Sequence, residues 1–487
     1  MYKFPSKQVG IKDFGMPMGF NLNPENRWVK EAEKIPWDEI ELRYATLFKN
    51  RKGNVAKPLR LALGALLIQT KYQYSDVEVP IQIQETPCLQ YFCGMPEYKD
   101  ELPFDSSLMV YFRKRLTPEV LGEINELIIR KAKGTDTNSS DDDEAEPPEG
   151  NNDSTNSNEK EDKPKNKGTL IIDATCAPQN IRYPQDTSLL NEARENLELM
   201  VDELHNPADG EKPRTYRNRA RRDYLRFSKK RNKTKREIRK ARKAQLQYIR
   251  RNLGIIETLL QNGNELSKWH TERLATIIKL YEQQLEMHTN SSYKIEDRIV
   301  SLGQPWIRPI VRGKANAKCE FGAKIEISVS DGFTRLERTS FDAYNESTSL
   351  IEIIERYRLR EGHYPEKVLV DGIYRNRGNL AYCKLHGIQV SGKPLGRPRK
   401  DALFDKKRIR TDEINRVEVE RKLSHAKGSY GLGLIRNRLK ETSETAIALS
   451  IIALNLSRIG RILCASFIDL LYFFAINTFL RKPAFVQ

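Results

Sequence analysis

An acidic segment without aromatic residues divides the chain and constrains its fold more than any other feature. Residues 134–162 hold eleven Asp and Glu against one Lys, among Ser, Asn, Thr and Pro. Such a composition cannot bury enough apolar surface to offset the entropy of ordering the segment. We therefore expect a disordered acidic linker at 134–167. It separates a domain at 1–133 from a longer domain at 168–440, and an apolar stretch at 441–487 follows the second domain.

The region before the linker shows the boundary signals of short helices. Pro36 and Trp37 open one helix, Pro58 opens another, and Asp105 or Ser106 can cap a third. The sequence therefore predicts an all-α N-terminal domain. Arginines recur along these helices, a pattern that suits DNA-end recognition and equally suits any small helical bundle: Arg60, Arg113 and Arg115.

After the linker the apolar period changes from helical to strand-like. A short apolar run, 169–172, ends at Asp173, and a second, 367–370, ends at Asp371. Between them, residues 324–329 alternate strictly and turn at Asp331-Gly332, which predicts a β-hairpin. Helices are expected at 187–200, 253–300, 347–360, 376–386 and 412–427, with a short strand at 387–390. Mixed elements in this order predict an α/β domain.

Two strands thus each deliver an aspartate at their carboxyl end, where open α/β sheets bind ligands. The last charged helix adds a third acid. At 100° per residue, Glu420 lies about 40° from Arg416 and Lys427 about 20° from it, whereas Glu418 lies roughly 200° away. One face therefore presents a carboxylate between two cations. It is either a simple ion-pair stripe or a metal ligand flanked by phosphate-binding cations.

The formal net charge of +17 points to a polyanionic partner, most often nucleic acid. Residues 212–251, the basic tract, hold nineteen Lys and Arg against two acids, which equals the whole excess. A solvated helix face is the simpler explanation, but so one-sided a run repels itself unless an anion lies beside it. The cations assigned to DNA here are Arg221, Arg222, Lys229, Lys230, Arg231, Lys235 and Arg236.

Cysteine usage and the termini bear on the compartment. The six cysteines form no Cys-x-x-Cys pair, which argues against a disulfide framework and a zinc ribbon. The N-terminus lacks the apolar core of a signal peptide, so we expect a cytosolic protein.

Residues 462–480 are long and apolar enough for a membrane span. Asp469 at their centre favours a buried helix over a membrane anchor, and we expect no membrane partner.

These residues resemble the bacterial insertion-sequence transposases of the Asp-Asp-Glu class, in the branch with a Tyr-x2-Arg-x3-Glu-x6-Lys signature. Arg416, Glu420 and Lys427 match that spacing, while Glu413 occupies the tyrosine position. The similarity also covers IIDATCAPQNIRYPQDTSLLNEA around Asp173, RPIVRGKANAKCEFGAKI at 308–325, VLVDGIYRNRGN around Asp371 and YGLGLIRNRL at 430–439. In the N-terminal domain it covers LQYFCGM at 89–95 and FDSSLMVYFRKRL at 104–116.

The resemblance implies an RNase H-like catalytic domain with a large basic helical insertion at about 187–305. In that fold Asp173 ends the first strand, Asp371 ends the fourth, and Glu420 lies on the last catalytic helix. Asp173, Asp371 and Glu420 would hold two Mg²⁺ ions, for which Mn²⁺ can substitute, since all the ligands are oxygens. Arg416 and Lys427 would contact phosphates beside the scissile bond.

The implied activity is DNA cleavage at element ends, followed by joining of the 3′-hydroxyl ends to target DNA. The partners would be duplex DNA, as terminal inverted repeats and as target, and a second copy of the chain, because two ends must be brought together. Such a protein would act in the bacterial cytoplasm, at the nucleoid. The alternatives are an RNase H-like nuclease without strand transfer and a domesticated DNA-binding protein.

Overall fold

The computed structural model of the chain describes residues 1–4, 9–48, 53–137, 165–207, 210–311, 319–393 and 406–480. Side chains are described for all of these except 135–137, 406 and 463–480.

Within the described residues, seven α-helices precede the acidic segment. They are α1 (Arg27–Glu33), α2 (Trp37–Ala45), α3 (Leu59–Tyr72), α4 (Glu78–Glu85), α5 (Pro87–Phe92), α6 (Leu108–Arg115) and α7 (Pro118–Thr137). α3 begins directly after Pro58 and is buried along most of its length, because α2, α4, α5 and α6 pack around it. The predicted all-helical N-terminal region is confirmed.

A mixed sheet of six strands forms the second part of the described chain. The strands are β1 (Thr169–Pro178), β2 (Arg308–Val311), β3 (Cys319–Ser330), β4 (Phe333–Ser340), β5 (Lys367–Leu369) and β6 (Gln389–Val390). β3 pairs antiparallel with β1 on one edge, and with β2 and then β4 on the other. β1 pairs parallel with β5, and β5 with β6. An antiparallel half and a parallel half therefore meet at β1.

The predicted hairpin is present as β3 and β4, and its turn depends on glycine. Asp331 and Gly332 both have positive φ, 51° and 72°, as a two-residue hairpin turn of the primed type requires. A Cβ on Gly332 would lie 2.2 Å from the guanidinium carbon of Arg458. The hairpin tip is therefore held against the C-terminal helix.

Helices cover both faces of the sheet. On one face lie α12 (Leu350–Glu361) and α13 (Arg377–Leu385), and on the other α14 (Lys406–Ser429) and α15 (Lys440–Leu480). β1 alternates between the two resulting cores. Leu170 and Ile172 pack on the α12 side, whereas Ile171 and Ala177 pack on the α14 side.

Four helices lie between β1 and β2: α8 (Asp186–Leu204), α9 (Arg217–Lys229), α10 (Lys235–Gln261) and α11 (Lys268–Thr289). α8, α10 and α11 bury a core of their own. The expectation of continuous helix over 253–300 is wrong. α10 ends at Gln261, where Gly263 follows with φ of 87°, a conformation that terminates helices, and residues 290–307 are not helical.

α15 joins the N-terminal helices to the sheet. Leu449, Ile452 and Leu456 belong to the core of the N-terminal helices, while other residues of α15 pack on the sheet. Buried Asn455 donates through Nδ2 to Asn125 Oδ1 at 2.8 Å and to the Thr334 carbonyl at 2.7 Å. The two parts of the chain therefore share the core of the N-terminal helices, to which Phe333 of β4 also belongs.

Three expected boundaries differ in the structure. β1 does not end at Asp173, because its pairing with β3 continues to Pro178 opposite Gly322. The short strand β2 was not expected, so Asp371 follows the fifth strand rather than the fourth. α7 runs to Thr137, into the segment expected to be linker. Of the rest of that expected linker, 138–164 lies outside the described residues, whereas 165–167 is described and the Lys167 amide donates to the Tyr364 carbonyl at 3.0 Å.

The C-terminal helix is long and apolar. The stretch Lys440–Ile462 has the length and hydropathy of a membrane span, but 67% of its apolar 18-residue window is buried inside the protein, as in the core helix of a globular domain. The sequence predicts a buried helix at 462–480. The structure describes the side chain of Ile462 but not those of 463–480, so the burial of this segment stays a prediction. The backbone there continues α15 to Leu480.

Candidate active site and nucleic-acid surface

Asp173 lies at the middle of β1, on the α14 side of the sheet. Side chains alternate along a strand, so Asp173 shares the face of Ile171 and Ala177, which belong to the core beneath α14. Its carboxylate is half-buried, and Oδ1 accepts a hydrogen bond from the Ala174 amide at 2.9 Å. Because β1 is paired on both sides here or just before, the strand determines the face of the sheet on which the Asp173 side chain lies.

Asp371 follows β5 on the same face. β1 and β5 pair in a single parallel register, with Thr169 opposite Lys367 and Ile171 opposite Leu369. Asp173 and Asp371 each follow the last paired residues of this register, Ile171 and Leu369, by two positions. Asp371 is exposed and caps a 3₁₀ turn, Gly372–Tyr374, where its Oδ1 accepts from the Gly372 amide at 2.6 Å.

α14 crosses this face of the sheet and carries the third predicted carboxylate. Val419, Leu423 and Ala426 pack in the same core as Ile171 and Leu369. Lys427 donates from Nζ to Thr175 Oγ1 at 2.8 Å, and Thr175 stands two residues after Asp173 on the same face of β1. Lys427 is thus brought to the strand of Asp173.

Glu420 is directed along its own helix. Its side chain is 50% exposed, and Oε1 lies 2.9 Å from an Nη of Arg416, one turn earlier. Among the described residues, which include all three predicted carboxylates, no group of three His, Cys, Asp or Glu is placed to hold a metal ion. Asp173 and Asp371 thus follow two strands paired in one register, while Glu420 is engaged in an ion pair with Arg416.

A buried polar cluster beneath the Asp371 turn was not foreseen from the sequence. Glu326 of β3 is fully buried and accepts from Tyr374 Oη at 2.6 Å and from Ser349 Oγ at 2.7 Å. Burial raises the pKa of the Glu326 carboxyl. Burial and then the charge of Glu326 raise the pKa of Tyr374. Since Tyr374 ends the turn that Asp371 caps, this hydrogen bond ties the turn to the sheet.

The alternating pattern around Glu326 identified the strand but not this environment. Strict alternation predicts a solvated polar face, whereas Glu326 and Ser328 are both completely buried, because α12 covers that side. The burial of this strand face could have been predicted from the helix expected at 347–360, which directly follows the hairpin and can pack on it.

The seven basic-tract residues assigned to DNA lie on or between α9 and α10 and are all exposed. In the described part of the chain, Lys230 pairs with Glu237, and no ion pair involves the other six. Those six are Arg221, Arg222, Lys229, Arg231, Lys235 and Arg236. Such a surface of unpaired cations suits contacts with a polyanion.

Other cations of the basic tract are structural. Arg242 is buried and pairs with Asp186 at 2.7 Å, while Lys212 and Arg217 both pair with Asp202. Arg251 lies over the ring of Tyr216, 4.5 Å from its centroid. The local charge excess available to a partner is therefore smaller than the sequence count indicates.

The three N-terminal arginines noted in the sequence are turned toward protein rather than solvent. Buried Arg60 donates to the carbonyls of Tyr91 and Phe92. Buried Arg113 pairs with Asp76. Arg115 lies over the ring of Phe48. Packing explains all three.

A cleft between the N-terminal helices and the loop after α14 offers different cations. Its volume is about 460 Å³, and its lining includes Gln73, Tyr74, Arg436, Asn437 and Arg438. Arg436 and Arg438 are exposed and form no ion pair among the described residues. Both lie in the stretch YGLGLIRNRL, which carries part of the family resemblance. The sequence did not identify these two arginines as site residues.

Two segments of the chain match known protein families. Residues 20–115 match the family described as Transposase domain (DUF772), and residues 368–457 match the family described as Transposase DDE domain. The second match contains Asp371, Arg416, Glu420 and Lys427. It does not extend to Asp173.

One curated protein is similar over part of the chain. It is an uncharacterized protein, ORF8 in the nfe locus of Rhizobium meliloti, 26% identical over 176 residues, which are 36% of this chain and 73% of that protein. No solved structure matches the chain.

Proposed function

The two family matches indicate an insertion-sequence transposase of the Asp-Asp-Glu class, and from that premise we propose that the protein cuts DNA at the ends of its element and joins the freed 3′-hydroxyl ends to target DNA. The observation that carries the proposal is the parallel register of β1 and β5, whose last paired residues, Ile171 and Leu369, each stand two positions before an aspartate, on the face that α14 crosses. Phosphoryl transfer needs little covalent chemistry from a protein beyond positioning and charge stabilisation.

The strand order supports the RNase H-like fold that the resemblance implies. Omitting the short β2, the order is β4, β3, β1, β5, β6, antiparallel up to β1 and parallel beyond it. An acid at the middle of the central strand and another after its parallel neighbour suit a catalytic centre at this sheet. We assign α8 to α11 as a basic helical insertion between β1 and β2.

The donor chemistry suits a divalent ion, as is general in this family, because the candidate ligands are carboxylate oxygens. Asp173, Asp371 and Glu420 would hold Mg²⁺, which would supply activation of the attacking hydroxyl and charge stabilisation of the leaving oxygen. Glu420 is the ligand that must change partner, since Arg416 holds it now. Ion pairs between exposed side chains one helical turn apart stabilise by only about 0.3–0.5 kcal/mol, so the exchange costs little.

Arg416 and Lys427 then acquire separate roles. Once released by Glu420, Arg416 can bind a phosphate with its planar, two-pronged donor set. Lys427, already on Thr175, places a point charge beside the strand that carries Asp173. Both cations would neutralise charge that develops on the transferred phosphoryl group.

Exposed cations provide the wider DNA surface in this proposal. The basic tract would contact the duplex backbone, and Arg436 and Arg438 would contact DNA between the N-terminal helices and the sheet. Two element ends must meet, so we propose a dimer in the DNA complex. The compartment we propose is the bacterial cytoplasm, at the nucleoid.

A strand-transfer assay tests the activity. Purified protein, Mg²⁺ and duplexes that carry the inverted repeats flanking the gene, supplied with pre-cut 3′-hydroxyl ends, should yield joined products. Hydrolysis without joining would instead identify a nuclease of the same fold. Binding without either reaction would identify a DNA-binding protein that has lost catalysis.

A further inference from the structure

A second basic site lies on the side of α14 that faces away from Glu420. A groove of about 650 Å³ runs between α14 and α15. Arg421, Lys422 and His425 line it from α14, at roughly 100–200° around the helix from Glu420, and Arg458 and Arg461 line it from α15. We call this the α14–α15 groove.

Two cations of the α14–α15 groove, Lys422 and Arg458, donate to carbonyl groups and not to carboxylates. Lys422 is 8% exposed and donates from Nζ to the Gly332 carbonyl at 2.7 Å. Arg458 donates to the Asp331 carbonyl at 2.8 Å. Within the described residues, no ion pair involves either of these two side chains or Arg421 or Arg461. Glu418 is the one acid in the described lining.

Like charges crowd the groove in the absence of an anion. Arg421, Lys422, Arg458 and Arg461 line the same groove, and only one acid, Glu418, lies among its described lining residues. Burial and the charges of Arg461 and Lys422 lower the pKa of His425. An anion bound here would relieve this repulsion and favour the charged form of His425.

We propose that the α14–α15 groove binds backbone phosphates of a second DNA duplex, separate from the strand at Asp173, Asp371 and Glu420. The inference rests on the proposed function, because joining ends to a target requires two duplexes on one protein. Among the described residues its lining has Arg and Lys but no Phe, Tyr or Trp on which a base could stack. Contacts limited to phosphates carry no sequence information, so binding here should be independent of sequence.

The test uses the two groove cations that are exposed and have no structural contact. Arg421→Gln combined with Arg461→Gln removes two charges from the groove and leaves the hairpin tip held by Lys422 and Arg458. Arg130→Gln combined with Lys384→Gln is the matched control. It removes two exposed cations, on α7 and α13, that form no ion pair in the described part of the chain.

Binding to a random-sequence duplex is measured over a range of salt concentration without divalent metal. The groove variant should bind roughly tenfold more weakly, and the slope of log K against log salt should fall by about 2, since each phosphate contact contributes about 0.9. The control should keep the parent slope. A groove variant with the parent slope, or an equal fall in both variants, would overturn the proposal.

A catalytic readout separates this inference from the proposed function. With pre-cut ends at saturating concentration, the groove variant should need about tenfold more target DNA to reach half of the maximal joining rate. Hydrolysis of uncut ends, measured separately, should stay at the parent level. An unchanged target requirement would overturn the groove assignment. Failure of the parent to join any DNA would count against the transposase proposal, and the metal-free binding result would still decide the groove.

Discussion

Asp371 and Asp173 each stand two positions after a paired residue, because β5 and β1 run parallel in one register that ends with Leu369 opposite Ile171. Two residues along an extended chain return to the same face, so this register predicts both aspartates on the α14 side of the sheet. The same face of β1 carries Thr175, which accepts the hydrogen bond from Lys427. The register and this hydrogen bond together relate three of the proposed active-site residues, Asp173, Asp371 and Lys427.

The basic tract should dominate sequence-independent DNA binding. Replacing Arg221, Arg222, Lys229, Arg231 and Lys235 with Gln removes exposed cations that form no ion pair in the described part of the chain. Affinity for every duplex should fall similarly, and the slope of log K against log salt should drop by about 4 to 5. Exchanging Arg and Lys at the same five positions keeps the charge and should keep the slope. A variant with the parent slope would mean that the tract is only a solvated surface.

The shared core predicts that the two parts of the chain hold together without a covalent link. Limited proteolysis should cut first within 138–164, as the composition of this segment indicates. The products should still co-elute in size-exclusion chromatography, because α15 packs on α7 and Asn455 bonds to Asn125. Asn455→Leu should weaken this association, since it leaves buried polar groups of Asn125 and Thr334 without a partner. Separation of the parent fragments would contradict the shared core.

The sequence predicted more of the local structure than of its assembly. Apolar runs located β1 and β5, and the Asp-Gly turn located the β3–β4 hairpin, because these signals depend on neighbours in the chain. The contact between α15 and α7 depends on residues more than 300 positions apart, such as Asn125 and Asn455, and no local pattern encodes it. The environment of Glu326 was missed for the same reason, since α12 buries a strand face that alternation assigns to solvent.

The candidate site was predictable in composition but not in arrangement. Helical spacing correctly placed Arg416 beside Glu420. It could not reveal that Lys427 reaches Thr175, or that Arg421 and Lys422 face a separate groove, because both facts depend on how α14 rolls against the sheet. The rotation is fixed by Val419, Leu423 and Ala426 in the core.

Lys422 should make the stability of the DNA-free protein depend on pH. Its pKa is about 8 in the folded protein, below its value of about 10.4 in an unfolded chain. Between these values the unfolded state binds more protons, so the free energy of unfolding should rise with pH from about 8 to 10. The rise attributable to Lys422 should be on the order of 1–3 kcal/mol.

Urea unfolding of the parent and of Lys422→Met, measured at several pH values across that window, isolates the contribution of this side chain. The methionine keeps the length of the lysine and removes its charge, so the variant should show a flatter pH dependence than the parent. Identical pH profiles would mean that Lys422 is not held in a cationic, poorly solvated groove.

The central claim is that the Glu420 face of α14 meets the aspartates of β1 and β5 to form the catalytic centre. Glu420→Gln keeps the shape of the side chain but removes the charge that a divalent ion needs, so DNA cleavage and joining should fall by orders of magnitude, whereas binding to end DNA should change little. Glu418→Gln, on the opposite side of the same helix, is the matched control and should retain cleavage.

The most direct measurement is therefore the rate of end cleavage by these two variants and the parent, in Mg²⁺, with DNA binding measured in parallel. The account predicts an inactive Glu420→Gln that still binds DNA and a Glu418→Gln close to the parent. Cleavage at the parent rate by Glu420→Gln, or loss of cleavage in Glu418→Gln alone, would contradict it.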